Sequence, residues 1–300
     1  MKHSVKEWII ATRPWSLTAS GMPALIAISY IFFIRNNLGV HIHWLNGTIA
    51  LFGAVIFQVG GNLLNDYFDF KFNVDRKDTF SSRILVDGQF APREIYNFGI
   101  IMLLIGSVIG VYLLFQSGWH LLWIGIAGFL GAYFYYKLKF IALGDLNIFV
   151  IYGLLIGLGV EYAMTGDLIW KMMLVTAPAG FMIVAILHAN NTRDIINDGV
   201  ANIKTQARIL GLRYSKIYFI ALMVISYSSV VLLVVFHILH PLTFLVFLSL
   251  PMAIQCIRKM LPATLESLES IVTLNVLVAN LVLIFSMLYV SANFIAGIFL

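Results

Sequence analysis

The chain has 300 residues, of which 61% are apolar and 11% charged, against roughly 45–50% and about 25% in a soluble domain. Soluble packing cannot hide that much apolar side chain, which excludes an ordinary cytosolic enzyme, a secreted disulfide scaffold and a disordered chain. The net charge of +5 would suggest nucleic acid in a soluble protein, but in a lipid-embedded chain the placement of cations counts for more than their sum, and no nucleic-acid partner is expected.

A helical span needs about 20 predominantly apolar residues. In chain order, nine runs qualify between charged or turn-rich breaks: 17–33, 48–64, 98–115, 119–136, 148–164, 172–189, 217–237, 241–257 and 271–298. They are too long and too continuously apolar for barrel strands, so the expected fold is all-α and polytopic. A very short turn, from His237 to Pro241, must join the seventh and eighth. With the N-terminus on the first side, 17 of the 19 Lys and Arg fall on that side and only Arg35 and Lys171 on the other. This asymmetry predicts a cytoplasmic N-terminus and, with nine spans, a C-terminus outside. The first apolar run follows a mixed-charge segment and reads as a span rather than a cleavable signal. The single cysteine, Cys256, leaves no intramolecular disulfide and no Cys-based metal cluster.

Two cytoplasmic loops, 65–97 and 190–216, hold 10 of the 19 basic residues and 8 of the 14 acids. Ionisable groups gathered at one membrane boundary mark a site. The first cluster follows the second span: Gly61-Asn62-Leu63-Leu64-Asn65-Asp66-Tyr67-Phe68-Asp69, then Asp75. If the helix continues, Asn62, Asp66 and Asp69 share one face. The second follows the sixth span, from His188 through Asn190, Asn191, Thr192, Arg193, Asp194 and Asn197 to Asp198, with Asn190, Asp194 and Asp198 spaced by four. An offset of 128 maps Asn62 onto Asn190 and Asp66 onto Asp194, and Arg83-Ile84-Leu85 recurs as Arg208-Ile209-Leu210. The chain therefore reads as one domain, 1–300, with a trace of a duplicated four-helix unit carrying motifs at 62–75 and 190–198.

Oxygen ligands without His or Cys favour a hard cation, Mg²⁺ or Ca²⁺. Asp66, Asp69, Asp75, Asp194 and Asp198 carry five negative charges, and a diphosphate would add about three more, too many to share a partly desolvated site bare. Two Mg²⁺ ions with Arg and Lys from the same loops bring the sum near neutral. Acidic helix ends, basic loops and an apolar interior suit a substrate with a phosphorylated head and a lipid tail. His188 reads as a packed histidine, because no acid partners it at helical spacing. The outer-loop His41, His43, His237 and His240 lie far from the acids, and Glu161 reads as interfacial. The run Tyr133, Phe134, Tyr135, Tyr136 fits an interfacial belt or a set of rings steadying a carbocation equally well. No GxGxxG or Walker-type loop occurs. A cation or phosphate transporter also uses acids and repeats, but near the bilayer midplane; here the acids crowd one surface, which favours an enzyme over a transporter or a purely structural subunit.

At these residues the sequence resembles the UbiA superfamily of intramembrane prenyltransferases, and within it the menaquinone branch, the 1,4-dihydroxy-2-naphthoate polyprenyltransferases and their animal relatives. The matching segments are Arg13-Pro14, Gly61–Asp69, Asp75, Arg83, Ala142-Leu143-Gly144-Asp145 and 188–198, continued by Thr205 and Gly211. Where the superfamily's first motif usually has a third acid, Asn73 stands; the acid comes at Asp75, as in the menaquinone branch. Where bacterial menaquinone enzymes tend to carry a basic residue, Ile203 appears beside Lys204. The resemblance implies nine helices around a central cavity open laterally to lipid, in the inner or plasma membrane, with the active site facing the cytoplasm. It also implies transfer of a polyprenyl group from a polyprenyl diphosphate to an aromatic acceptor, 1,4-dihydroxy-2-naphthoate in menaquinone synthesis. Superfamily alternatives are 4-hydroxybenzoate, homogentisate or a lipid. Together with the charge argument, it assigns Asp66, Asp69, Asp194 and Asp198, with Asp75, to two Mg²⁺ ions. Asn62, Asn65, Asn190 and Asn191 would orient those acids or bind phosphate oxygens, and Lys71, Arg83, Arg193 and Lys204 would neutralise the diphosphate.

Overall fold

The computed structural model describes residues 3–77 and 84–299. Regular structure among the described residues is helical; extended backbone pairs only at an isolated parallel bridge between Ile141 and Lys204. The chain opens with α1 (Val5–Ala11), whose first turn is closed by a capping box: Ser4 Oγ accepts from the Glu7 N–H, and the Glu7 carboxylate accepts from the Ser4 N–H. A 3-10 turn, Pro14–Ser16, leads into α2 (Thr18–Ile34), α3 (Trp44–Lys71), α4 (Pro92–Ser117), α5 (His120–Tyr133) and α6 (Tyr135–Phe140). Then α7 (Gly144–Ile148) runs through a π-helical segment, Phe149–Leu155, into α8 (Ile156–Thr165). The second half comprises α9 (Lys171–Arg193), α10 (Ile195–Val200), α11 (Gln206–Val235), a 3-10 stretch (Pro241–Ser249) leading into α12 (Leu250–Met260), and α13 (Leu274–Phe299).

Eight helical segments among the described residues are long and apolar enough to cross a membrane, and each coincides with one of the predicted runs. The fourth run, 119–136, departs from expectation. Its helix, α5, has 14 residues, short of the about 20 that a straight span requires. The cause is local: helical geometry lapses at Phe134 (φ −94°, ψ 8°) and the chain restarts as α6. The aromatic end of the run thus belongs to a separate element. A second break, at Gly211 (φ 68°, ψ 165°), interrupts α11; that conformation is open essentially to glycine alone.

α3 and α4 form an antiparallel hairpin, α13 lies against α2, and α9 packs on α11, α13, α2 and the π-helical segment. The last contact is unusually close. A Cβ on Gly180 of α9 would stand 2.3 Å from the Gly153 Cα, and Thr176 Oγ1 donates to the Gly153 carbonyl at 2.7 Å. Small residues let backbones approach in this way. Gly180→Ala should therefore push the two helices apart and cost about 1–3 kcal/mol, read as a lower unfolding midpoint of the detergent-solubilised protein; an unchanged midpoint would contradict the crossing.

Candidate active site

Both acidic clusters open onto one cavity of about 640 Å³. From the first come Asn62, Asn65, Asp69 and Asp75; from the second Asn190, Asn191, Arg193, Asp194, Asn197 and Asp198. α3 does continue through Lys71, so Asn62, Asp66 and Asp69 lie on one face as expected. The C-terminus of α3 explains the displaced third acid. Asn73 adopts a left-handed conformation (φ 57°), which asparagine tolerates better than most residues. Its turn, closed by Val74 N–H to the Asp69 carbonyl at 2.8 Å, brings buried Asp75 back to the cavity. In the second cluster helical geometry falters at Asp194 (φ −93°, ψ 10°). The Asp194 and Asp198 N–H groups still donate to the Asn190 and Asp194 carbonyls, at 2.9 and 2.8 Å. The three residues therefore remain stacked.

Four of the acids have a specific partner. Asp66, nearly fully buried, is paired with Arg13. Asp69 receives Lys139 Nζ at 3.1 and 3.2 Å and the Asn65 amide at 2.9 Å. Arg193 binds Asp194 through Nε and Nη2 at 2.8 and 2.6 Å, and Thr205 Oγ1 donates to Asp198 at 3.0 Å. Burial pushes the Asp198 carboxyl up to about 6, Lys139 opposing the rise and Asp194 adding to it. Burial alone would lower the Lys139 ammonium, but Asp69 and Asp198 more than offset this and hold it above its ordinary value. Lys139 thus stands between the two motifs.

Some cations expected at the site are elsewhere. Lys71 is exposed and lies 5.7 Å from the Tyr67 ring centre, and Lys204 is exposed and contributes its backbone N–H to the Phe140 carbonyl at 3.2 Å. Neither lines the cavity. Arg83 lies outside the described residues. That backbone contact, with the bridge at Ile141, ties the loop after α6 to the segment after α10 and positions Lys139. Lys139 and Arg13 were the cations that sequence proximity missed. In the aromatic run only Tyr135 lines the cavity, joined there by Tyr152; Tyr136 stacks on Phe68 at 3.9 Å and Tyr133 on Phe129 at 6.2 Å.

His188 does have an acid partner, contributed by another helix. Its Nδ1 lies 3.0 Å from Asp145 Oδ2 and its Nε2 3.2 Å from the Ser215 carbonyl, while Asn191 donates to Asp145 Oδ1 at 3.2 Å. This buried cluster fixes the end of α9, from which Asn190, Asn191 and Asp194 reach the cavity. Asp145→Ala would strand the donors that face it, at a cost of roughly 1–3 kcal/mol. The expected result is a lower unfolding midpoint of the purified protein; no shift would deny the clamp.

Do these residues suit Mg²⁺ and a diphosphate? Among the described residues no three carboxylate or imidazole groups form a ready cage for an ion. Mg²⁺ does not require one, since it takes one or two carboxylates and completes its octahedron with water and phosphate oxygens. The donor set is oxygen-rich: alongside the acids, buried Asn65 Oδ1 and Asn190 Oδ1 accept no hydrogen bond. Charge agrees. Around the cavity the described side chains comprise five acids, Asp66 included through Arg13, against Arg13, Lys139 and Arg193. A bare diphosphate would meet a net negative site and be repelled; one carried with divalent cations would not. The residues fit.

The sequence profile of the UbiA prenyltransferase family matches residues 22–264. The UbiA prenyltransferase domain-containing protein 1 homolog of Drosophila melanogaster is 32% identical over 262 residues, which cover 85% of this chain and 71% of the relative. The 1,4-dihydroxy-2-naphthoate octaprenyltransferase of Bacillus subtilis (strain 168) is 28% identical over 253 residues, 82% of this chain and 79% of the relative. A UbiA homolog from Archaeoglobus fulgidus, solved with GPP and Mg²⁺ bound, shares the fold with a TM-score of 0.59, at 16% identity over 95% of this chain and 97% of that one. The apolar helices, the paired acidic motifs and these matches lead to one conclusion: the chain is an integral membrane prenyltransferase and belongs to the UbiA prenyltransferase family.

Proposed function

We propose that the chain transfers a polyprenyl group from a polyprenyl diphosphate to 1,4-dihydroxy-2-naphthoate, the step that commits the naphthoate ring to menaquinone. The observation that carries the reading is the single cavity shared by two motifs more than a hundred residues apart. Charged and amide groups share its lining with an apolar set that includes Gly131, Ala132, Ile148, Ile151, Ile183 and Leu187. The acceptor assignment is supported by similarity to the Bacillus subtilis naphthoate octaprenyltransferase. The basic face, carrying the N-terminus, is taken as cytoplasmic, and α5 is read as a ninth, short crossing.

Asp66, Asp69, Asp194 and Asp198, with Asp75, would hold two Mg²⁺ ions, which when bound supply positive charge to the diphosphate oxygens. Lys139, Arg13 and Arg193 add fixed charge beside that head, Asn65 and Asn190 orient it, and Asn62 is anchored to Ser16 Oγ at 2.9 Å and the Thr12 carbonyl at 3.2 Å. As the allylic C–O bond breaks, negative charge grows on the diphosphate and positive charge on the prenyl carbon. Preorganised cations stabilise the first. Tyr135 and Tyr152, which line the cavity, bring aromatic rings toward the second. Apolar side chains exclude water that would capture the cation. The acceptor attacks through a ring carbon, and its carboxylate leaves as CO₂ as the ring regains aromaticity.

Membranes containing the chain, given one labelled prenyl diphosphate and a panel of acceptors, test this. A decarboxylated, prenylated naphthoquinol should dominate the products. Prenylated hydroxybenzoate, homogentisate or lipid in its place would overturn the acceptor, and phosphate or cation uptake into proteoliposomes without any prenyl product would overturn the reaction.

A further inference from the structure

α13 is strongly apolar, yet it presents Asn275, Val276, Ala279 and Asn280 to the cavity. Polar side chains inside a span are costly and mark function. Two other amides of the cavity wall, Gln58 and Asn147, have structural duties. Gln58 donates to the Ser16 carbonyl at 2.7 Å and accepts from the Ser20 N–H at 2.9 Å, while Asn147 donates to the Gly131 carbonyl at 3.2 Å. Asn275 differs: its Oδ1 is buried and accepts no hydrogen bond. A buried acceptor left without a donor costs free energy, and the cavity it borders is where a donor could arrive. Asn65 and Asn190 share this property but belong to the acidic motifs. Asn275 comes from neither motif and carries no charge suited to a diphosphate. The nearby turn before α2 contributes Trp15 and Ser16 to the same cavity, Trp15 with half its surface exposed.

We infer that Asn275 forms the recognition site for the aromatic acceptor, its Oδ1 accepting the hydrogen bond of a ring hydroxyl while the ring lies in the part of the cavity bordered by Trp15 and Ala279. This rests on the prenyl-transfer reading and adds the element that selects the acceptor. A site built to receive an O–H discriminates against an analogue lacking it, so Asn275 is a specificity residue, distinct from the groups that hold the diphosphate.

The test pairs Asn275→Leu with an acceptor whose ring hydroxyl is converted to a methyl ether, assayed with the full-length protein in nanodiscs. The unaltered chain should prefer the hydroxylated acceptor over its ether at least tenfold in kcat/KM. In Asn275→Leu, KM for the hydroxylated acceptor should rise about tenfold, equivalent to one hydrogen bond of roughly 1.4 kcal/mol, and the preference should collapse toward unity. Binding of a prenyl diphosphate analogue with Mg²⁺ should be unchanged, which also shows that the variant is folded. Asn275→Ser, which restores a hydroxyl oxygen, should recover part of the preference. If Asn275→Leu keeps the full preference, or loses prenyl diphosphate binding and acceptor binding in equal measure, the assignment is overturned while prenyl transfer stands. If the unaltered chain prenylates no hydroxylated aromatic, both readings are overturned.

Discussion

Replacing Asp66 or Asp194 with asparagine should lower prenyl-transfer turnover by roughly 10²–10³-fold even at saturating Mg²⁺, with the protein still folded. The two substitutions remove one negative charge each from different motifs, and both keep the shape of the side chain. Asp66 is buried against Arg13 and Asp194 is gripped by Arg193, so each variant also releases a cation into the site. Loss of one preorganised electrostatic contact to a developing charge costs that much in enzymes generally. Turnover of a labelled prenyl diphosphate, with thermal unfolding as the control for folding, decides the matter. Full activity in either variant would remove its carboxylate from the metal assignment.

Lys139→Met should be nearly as damaging, for a different reason. Lys139 is the cation that faces both motifs, touching Asp69 directly and acting on Asp198 across the cavity. Without it the leaving diphosphate loses a fixed positive charge, and turnover should fall by about 10²-fold. The acceptor KM should hold. Stability should also drop, because buried Asp69 loses its Lys139 partner; removing one partner of such a pair costs roughly 3–5 kcal/mol. The double variant Lys139→Met with Asp69→Asn separates the effects: the unfolding midpoint should recover while turnover does not. Recovery of turnover in the double variant would overturn the catalytic assignment of both Lys139 and Asp69.

Much of this architecture is legible in the chain itself. Hydropathy locates the spans, because a helix in lipid must satisfy its own backbone and so must run long and apolar. The same-face stacking of Asn62, Asp66 and Asp69 follows from spacing once α3 continues past Leu64. Contacts between elements carry no such periodic signal. Lys139 meets Asp69 across 70 residues and His188 meets Asp145 across 43, pairings fixed by how the loops and helices close. Proximity in sequence misleads in the same way: Lys71 and Lys204 sit beside the motifs in the chain, yet the helix end and the bridge to Ile141 turn them outward. The break at Phe134 was also hidden, since its aromatic surroundings continue the apolar run. Asn275 is one of several polar residues in its span, and nothing in the sequence sets it apart.

Where the ions sit when substrate is bound tests most directly whether the two acidic motifs share one diphosphate. A crystal of the protein grown with Mn²⁺ and a non-cleavable prenyl thiolodiphosphate, and measured for anomalous scattering, gives the answer. Manganese peaks are expected between the Asp66–Asp69 and Asp194–Asp198 segments, with one diphosphate shared by both. Metal confined to a single motif, or a diphosphate bound away from both, would contradict this arrangement.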